Sequence, residues 1–564
     1  MSPDSSPAGG PSTADSGSGD AAPSDGRPVD DQPSDADSAT DPVEARLDDA
    51  LERVAHGATV SIPGILFQRG ATLAFTAVLT NGFGAGAYGV FAVARRLQEF
   101  LLRLSLGFQM GLSRFLPNVD SDGERDALLT VASALVVGVA TLFGVALFVA
   151  TPAIVDVTGQ GGQFGTFLRI FAAGLPAMVW FFTVGEMLRG FEAVGPRTLT
   201  MQVAFPTAQL LVGAAGAVVF ADLVAVAVGV VVVSGLVGTA AVAWLVRDRG
   251  VRPRLHADTD DVVWRRYLRY TAPLFAGGFA TVIQRLGFYP LIALFLSGVA
   301  GGVFAVGTLL GMLVRLPLMG INQFIPPVAA ALHEDGSRAA LARLYHVTSR
   351  IVLVGVTALS VPTIVFRESV MGLFGPTFVE YAPLLPGFVL AQYGACAAGS
   401  VGILLMMTDN QRAMLVVNTA ITLVLIVTAV PLTITYGLPG LVASYLLMLT
   451  LNNGLEVAVL YYLEGLQPFT RLHLRPLGAG AVMAAVVLLA KATLPGWTAP
   501  VLGTAVGLAA YAAVLNWLGF TPVERRLVGT LDNEAIVSYI DLVQEIGPTA
   551  RGDAREVPPP DGYV

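Results

Sequence analysis

The sequence predicts an all-α polytopic membrane protein with about 14 transmembrane helices, arranged as two six-helix repeats followed by a C-terminal helix pair. Three observations support this fold class. Hydrophobic residues make up 54% of the 564 residues, charged residues make up 13%, and the mean hydropathy is +0.68. Apolar segments of membrane-spanning length recur along the chain, and short motifs recur at one fixed offset. Such a chain is too apolar for a soluble multidomain protein.

The N-terminal region, residues 1–45, is predicted to be a disordered acidic tail. Met1 to Ala50 contain twelve acidic residues and two arginines, which leaves a net charge of about +2 for the rest of the chain. A segment rich in Ser, Pro, Gly and Asp cannot bury enough apolar surface to fold. It also lacks the basic and apolar regions of a cleavable signal peptide, so we expect the N-terminus to stay in the cytoplasm.

Fourteen apolar segments follow the tail. Six precede the first long polar break, six come after it, and a last pair completes the set, at residues 58–80, 87–116, 126–150, 164–188, 196–220, 222–246, 269–296, 300–329, 341–366, 382–406, 411–435, 438–464, 474–494 and 498–519. This pattern divides the chain into an N-terminal six-helix lobe, a cytoplasmic basic linker, a C-terminal six-helix lobe, a terminal helix pair and a cytoplasmic C-terminal segment, at residues 46–250, 251–268, 269–466, 467–520 and 521–564.

The loop charges predict the orientation of these helices. If the helices alternate, nearly all loop arginines fall on one side of the membrane, and the opposite loops carry little basic charge beyond Arg367 and Lys491. Arginine is retained on the cytoplasmic side, so both termini are predicted inside a multi-pass protein of the cell (plasma) membrane. The outer loops are short, which leaves no room for a folded extracellular domain.

Two motifs indicate an internal duplication. The sequence "GVFAV" from Gly89 recurs from Gly302, and "DGERDAL" from Asp122 is answered by "DGSRAAL" from Asp335, both at an offset of 213 residues. Because an even number of spans separates the copies, both have the same orientation. The halves are therefore expected to be related by an axis along the membrane normal, with a site between them near the midplane.

Charged residues occur inside the predicted spans, where an unpaired charge costs a few kcal/mol unless it faces protein or water. Arg69 lies near the middle of the first segment, Glu99 and Arg103 lie at similar depth in the second, and Arg285 and Arg315 repeat the arrangement in the second half. Four mid-membrane arginines, two from each half, are thus predicted to converge between the lobes.

The predicted substrate-binding set adds two glutamines and one acid to these arginines. Gln68 and Gln284 precede Arg69 and Arg285, and Glu99 stands four residues from both Arg95 and Arg103, a spacing that lets one carboxylate bridge two guanidinium groups. The surplus of positive charge favours an anionic ligand, and guanidinium groups suit phosphate oxygens. The alternative is that the arginines form internal ion pairs or reach the membrane interface. For Arg95 and Arg96, this alternative and a role in ligand binding have about equal weight.

Other ionisable groups carry weaker signals. Glu186 and Glu456 lie toward cytoplasmic helix ends, where solvation accounts for them. The five histidines show no paired ligand spacing, the single cysteine, Cys396, excludes an internal disulfide, and no P-loop pattern is present. We therefore expect no metal, no cofactor and no nucleic-acid partner.

The stretch "GAGAYGVFAVARRLQEFLLRLSLGFQMGLSRFLPNVD" resembles the second helix and following loop of polysaccharide flippases. The similarity lies in the glycine-rich entry from Gly84 to Phe91 and in the "RFLP" exit from Arg114 to Pro117. These flippases belong to the superfamily that also contains multidrug and toxin extruders and the bacterial lipid II flippase. The arginine-dominated basic content and the aspartate-rich tail are similar to the proteins of a salt-adapted microbe such as a haloarchaeon.

The resemblance implies a transporter and not an enzyme. Related proteins move sugars linked through phosphate or diphosphate to a polyprenyl carrier from the cytoplasmic to the outer leaflet by alternating access, for polysaccharide or glycoprotein biosynthesis. In an archaeon it implies a dolichol-type carrier, and glycosylation enzymes become candidate partners. Two rivals stay open: a cation-coupled multidrug or organic-cation extruder of the same fold, and a membrane glycosyltransferase or polymerase, for which the outer loops are short.

Overall fold

The computed structural model describes residues 42–119, 121–252, 261–323 and 325–519. Within these ranges the chain is helical, with no β-strand. The predicted disordered tail as far as residue 41, residues 253–260 of the predicted linker and the predicted C-terminal segment, residues 521–564, lie outside the described residues. The first helix begins at Pro42, so the last four residues assigned to the tail are helical.

Twenty-one α-helices build the described part of the chain. In order they are α1 Pro42–Phe115, α2 Asp122–Thr158, α3 Gly162–Ala173, α4 Leu175–Gly190, α5 Val194–Thr198, α6 Phe205–Ala215, α7 Leu223–Asp248, α8 Asp261–Leu286, α9 Phe288–Phe295, α10 Gly298–Val314, α11 Leu316–Ile321, α12 Ile325–Glu334, α13 Arg338–Val365, α14 Arg367–Gly372, α15 Pro376–Glu380, α16 Leu385–Ala397, α17 Val401–Met407, α18 Gln411–Tyr436, α19 Leu438–Glu464, α20 Leu474–Thr493 and α21 Thr498–Leu518. Leu199–Ala204 and Gly216–Phe220 are π-helical, and Leu116–Asn118, Ala382–Leu384 and Arg471–His473 are 3₁₀ turns.

The predicted all-helical membrane fold is confirmed, but the count of 14 spans is not. Ten helices in the described residues are long and apolar enough to cross a membrane, or eleven if α3 and α4, bent by 45°, count as one span. The difference arises because several predicted segments are broken. Residues 269–296 form α8 and α9 on either side of Gly287, and residues 300–329 are divided by breaks at Arg315 and Asn322. α9, α10, α11 and α12 are then each shorter than a full crossing, and α8, although 26 residues long, contains too many polar residues to qualify.

The first two predicted segments lie within α1 and are separated by a kink at Gly84. This glycine has φ 80° and ψ 166°, outside the helical region and accessible mainly to residues without a Cβ. The chain therefore changes direction between two stretches that each resemble a span, although the helical hydrogen bonding is nearly continuous.

The two copies of the GVFAV motif contact each other, as expected for duplicated halves around a two-fold axis. A Cβ added at Gly302 would lie 2.7 Å from the carbonyl oxygen of Ala85 and 3.4 Å from the Cα of Gly89. In the reciprocal contact, a Cβ added at Gly89 would collide with the carbonyl oxygen of Gly298. Ala85 and Gly298 are equivalent at the 213-residue offset, as are Gly89 and Gly302, so the contact is made twice with the roles exchanged. We call this contact the glycine crossing.

The terminal helix pair packs on the second lobe. α20 and α21 lie against each other and against α13, where the hydroxyl of Tyr511 donates to the carbonyl of Val354 at 3.1 Å. A Cβ added at Gly480 of α20 would lie 2.6 Å from the methyl group of Thr357. The close approach of α20 to α13 therefore depends on a small residue.

The glycine crossing yields a prediction about stability. Gly89→Ala forces a methyl group against backbone atoms, which cannot rotate away, so we expect a loss of about 1–3 kcal/mol in the free energy of unfolding. Thermal unfolding of the detergent-solubilised protein measures this loss. The matched control is Gly138→Ala in α2, where no heavy atom lies within 4 Å of the added Cβ. Equal unfolding temperatures for the two variants would contradict the crossing.

Candidate functional site

The centre of the site is Glu99, in the second half of α1. One carboxylate oxygen accepts two hydrogen bonds from Arg103, from Nε at 3.0 Å and from Nη2 at 2.6 Å. The other oxygen forms an ion pair with the guanidinium of Arg96. Glu99 is 22% exposed in this arrangement. It therefore bridges two arginines of its own helix, three residues before it and four residues after it.

The spacing argument selected the wrong partner on the N-terminal side, where it favoured Arg95 over Arg96. In the structure, the guanidinium of Arg95 lies over the ring of Phe75, 5.7 Å from its centroid. The guanidinium of Arg96 lies over the ring of Tyr289 in α9 at the same distance while it contacts Glu99. Positions three and four residues away both lie on the same helix face, and the aromatic neighbours decide between them.

Arg69 connects the two lobes. Its Nη2 donates to the sulfur of Met319 in α11 at 3.7 Å, and its Nε is buried without a hydrogen-bond partner in the described structure. Its electrostatic neighbours are Arg96 and Arg103. A partly buried cation thus lies beside two further cations, with only a weak sulfur acceptor of its own.

The second lobe contributes Arg285 and Arg315 to the same region. Arg285, in the last turn of α8, has Arg103, Arg315 and Glu99 as its electrostatic neighbours. Arg315 lies at the break between α10 and α11. It is the one residue between the two helices, and Pro317 follows in the first turn of α11. The arginines predicted at mid-membrane from both halves are therefore close enough to interact.

The positive charge of this cluster is only partly compensated. Of the carboxylates in the described ranges, Glu99 is the one that pairs with these arginines. Four arginines form no ion pair with any described residue: Arg69, Arg95, Arg285 and Arg315. Positive charge in an apolar interior is unfavourable without a counter-ion, so the arrangement is suited to an anion that enters between the lobes.

The two predicted glutamines differ in their surroundings. Gln284 donates from Nε2 to the carbonyl of Asn418 at 2.8 Å and to the hydroxyl of Thr422 at 3.2 Å, both in α18. These bonds hold α8 against α18, which is the usual role of amides between membrane helices. Gln68 is partly buried, and its backbone carbonyl accepts from Thr72 at 2.8 Å. Gln284 therefore has a packing partner, whereas Gln68 has no side-chain bond within the described residues.

The sequence analysis missed a buried acid in the second lobe. Glu456 in α19 is only 6% exposed, so its assignment to a solvated helix end was wrong. It accepts from Asn452 at 2.9 Å, and Arg315 is among its electrostatic neighbours. The available signal was Asn452, which precedes Glu456 by four residues and hence shares its face of the helix. No signal in the sequence marked Tyr289 or Met319.

Comparisons with known proteins agree with this architecture. Residues 54–333 match the model of a family described as polysaccharide biosynthesis protein. The fold is similar to the lipid II flippase MurJ in an inward closed conformation, with a TM-score of 0.64 and 11% identity over 80% of this chain and 96% of that one. A search of curated proteins gave no match by sequence.

Multidrug resistance transporters of the MATE family, in the MOP superfamily, share the fold as well. An inward-facing structure has a TM-score of 0.62 and 15% identity over 71% of this chain and 94% of that one. An outward-facing structure has a TM-score of 0.51 and 16% identity over 76% of this chain and 97% of that one. These solved structures of similar fold are thus described as a lipid II flippase and as multidrug resistance transporters. The chain therefore resembles the polysaccharide biosynthesis protein family over residues 54–333 and shares its fold with these transporter structures.

Proposed function

We propose that this protein is a flippase that moves polyprenyl- or dolichyl-phosphate-linked sugars from the cytoplasmic to the outer leaflet of the cell membrane. The observation that carries the proposal is the arginine cluster between the lobes, in which Arg69, Arg95, Arg285 and Arg315 have no carboxylate partner among the described residues. The match of residues 54–333 to a family described as polysaccharide biosynthesis protein supports the sugar part of the cargo.

The chemistry of the cluster supports a phosphate head group. Guanidinium groups donate paired hydrogen bonds to phosphate oxygens, and these bonds strengthen where water is scarce. The cargo's lipid tail stays in the bilayer while its head group, which cannot cross hydrocarbon, enters between the lobes. Arg69 from the first lobe and Arg285 and Arg315 from the second would then bind the same anion.

Alternating access requires that the two ends of the cavity open in turn. The glycine crossing lies near the kink at Gly84, on the side that the loop charges assign to the outside. Two backbones in direct contact there close that end.

A second candidate is a cation-coupled extruder of drugs or organic cations, and one observation favours it. Glu456 is a buried carboxylate near Arg315 and forms no ion pair in the described part of the chain. A buried acid without an ion pair is what a cation- or proton-binding site requires. The excess of arginine over acid in the arginine cluster argues against a cationic cargo.

Loss of the central arginines tests the flippase. In proteoliposomes, we expect Arg69→Ala and Arg285→Ala each to slow flipping of a fluorescent polyprenyl diphosphate sugar about tenfold or more, because each removes a charge-assisted contact of roughly 1.5–3 kcal/mol. The control is Arg338→Ala, whose side chain is 64% exposed and pairs with Glu464 away from the cluster.

The outcomes separate the two candidates. If wild type flips the lipid and neither arginine substitution slows it, the proposed function stands but the proposed binding site is wrong. Efflux of an organic cation such as ethidium, with no flipping of lipid-linked sugars by folded protein, would favour the extruder.

The proposed orientation can be tested with cysteine labelling, because the one native cysteine, Cys396, is fully buried. Arg412→Cys and Trp497→Cys place a thiol at two exposed positions that the topology assigns to opposite sides. A membrane-impermeant maleimide applied to intact cells is expected to label Trp497→Cys but to label Arg412→Cys only after permeabilisation. The reverse pattern would invert the topology.

A further inference from the structure

Two side-chain amides join the lobes at the end of the molecule that contains the glycine crossing. Asn81, shortly before the kink of α1, donates from Nδ2 to the carbonyl of Leu373 at 2.9 Å. Gln160, in the loop between α2 and α3, donates from Nε2 to the carbonyls of Ala293 and Leu296, both at 3.1 Å. Each of these bonds runs from the first lobe to the second. We call the two contacts the amide latches.

The acceptors of the latches are carbonyls that a helix leaves without a partner. Leu296 directly follows α9, Ala293 lies in the last turn of α9, and Leu373 directly follows α14. The last carbonyls of a helix have no acceptor role within it, and no backbone N–H in the described residues donates to these three. A side-chain amide has two N–H donors. Gln160 uses both on α9, whereas Asn81 uses one on the second lobe and one on its own helix at 2.8 Å.

The two latches are equivalent contacts in the duplicated structure. At the 213-residue offset, Asn81 corresponds to Leu294 and Gln160 corresponds to Leu373. The first latch therefore joins Asn81 to the counterpart of Gln160. The second joins Gln160 to carbonyls on either side of the counterpart of Asn81. Both donors belong to the first lobe, because the second copy has leucine at both positions.

The latches are suited to repeated opening. All their groups are uncharged, Asn81 is exposed and Gln160 is half-buried, so water can replace each bond when the lobes separate. A hydrogen bond of this kind changes an equilibrium by about fivefold, since its net contribution is only part of its full strength. The latches therefore favour the closed arrangement without making it permanent.

We propose that Asn81 and Gln160 are gating residues that hold this end of the molecule closed and set how often it opens. The inference goes beyond the proposed function, because it requires only that the two lobes alternate and holds for a lipid-linked sugar or an organic cation alike.

The test measures the separation of the lobes in the absence of any cargo. Spin labels are attached to Val157→Cys in the first lobe and Glu380→Cys in the second, both exposed positions, in a Cys396→Ala background. Double electron–electron resonance on the full chain in lipid nanodiscs then gives the ratio of separated to closed molecules. Measurements are made at about pH 8, where introduced carboxyl groups are ionised.

Gln160→Glu keeps the shape of the side chain but replaces its donor group with an oxygen. The resulting carboxylate faces two carbonyls at the negative end of α9, so the latch becomes repulsive. We expect the ratio of separated to closed molecules to rise about fivefold or more. Asn81→Asp is expected to have the same effect at the other latch, and the double variant a larger one.

A matched control is Gln411→Glu in the second lobe. Gln411 is exposed, and its Nε2 donates to the carbonyl of Met406 in the last turn of α17 at 3.0 Å. The substitution creates the same repulsion at a helix end, but within one lobe. The distance distribution should therefore remain that of wild type.

The outcomes decide the inference directly. Unchanged distributions in folded Gln160→Glu and Asn81→Asp would overturn it, and so would an equal change in Gln411→Glu. If Gln160→Glu does not fold, Asn81→Asp decides alone, since its site is exposed. Because no cargo is present, a failure of lipid flipping in the earlier assay would leave this result untouched, and a failure here would leave the flippase standing.

Discussion

Uncompensated positive charge among membrane-spanning helices is the constraint on which the rest of this structure depends. A helical membrane protein stabilises itself by satisfying its backbone within each helix and by exposing apolar side chains to lipid, and neither device neutralises a guanidinium. The cluster around Arg103 is held together although its members repel one another, because Glu99 and the rings of Phe75 and Tyr289 offset part of that repulsion. The surrounding helices must therefore be rigid enough to keep like charges close.

That rigidity comes from contacts that admit no side chain. At the glycine crossing, backbone meets backbone from both repeats, so the helices approach as closely as their main chains allow. The same contact places the second half of α1 opposite α10. Arg103 lies in this half of α1, and Arg315 directly follows α10. The packing of small residues and the convergence of large cations are thus two consequences of one pairing of duplicated helices.

The fold class could be predicted because the apolar segments and the 213-residue offset are properties of the sequence alone. The convergence of arginines was predicted by counting residues along spans of predicted direction. The breaks at Gly287 and Arg315 were not visible, since glycine and proline are common in unbroken membrane helices. Glu99 pairs with Arg96 and not Arg95 because Arg96 also contacts Tyr289, and Glu456 is buried by neighbouring helices. Tyr289 and these helices are distant in sequence, so neither result could be predicted from local spacing.

The docking of α20 and α21 on α13 makes the two halves of a duplicated protein unequal in size. If the lobes rock against each other, the heavier half must carry two additional helices through the surrounding lipid, and viscous drag in a bilayer grows with the cross-section that moves. The first lobe, with no such attachment among the described residues, meets less resistance. In such a rocking motion the first lobe would make the larger displacement relative to the lipid, an inequality that the duplication of the two repeats alone would not produce.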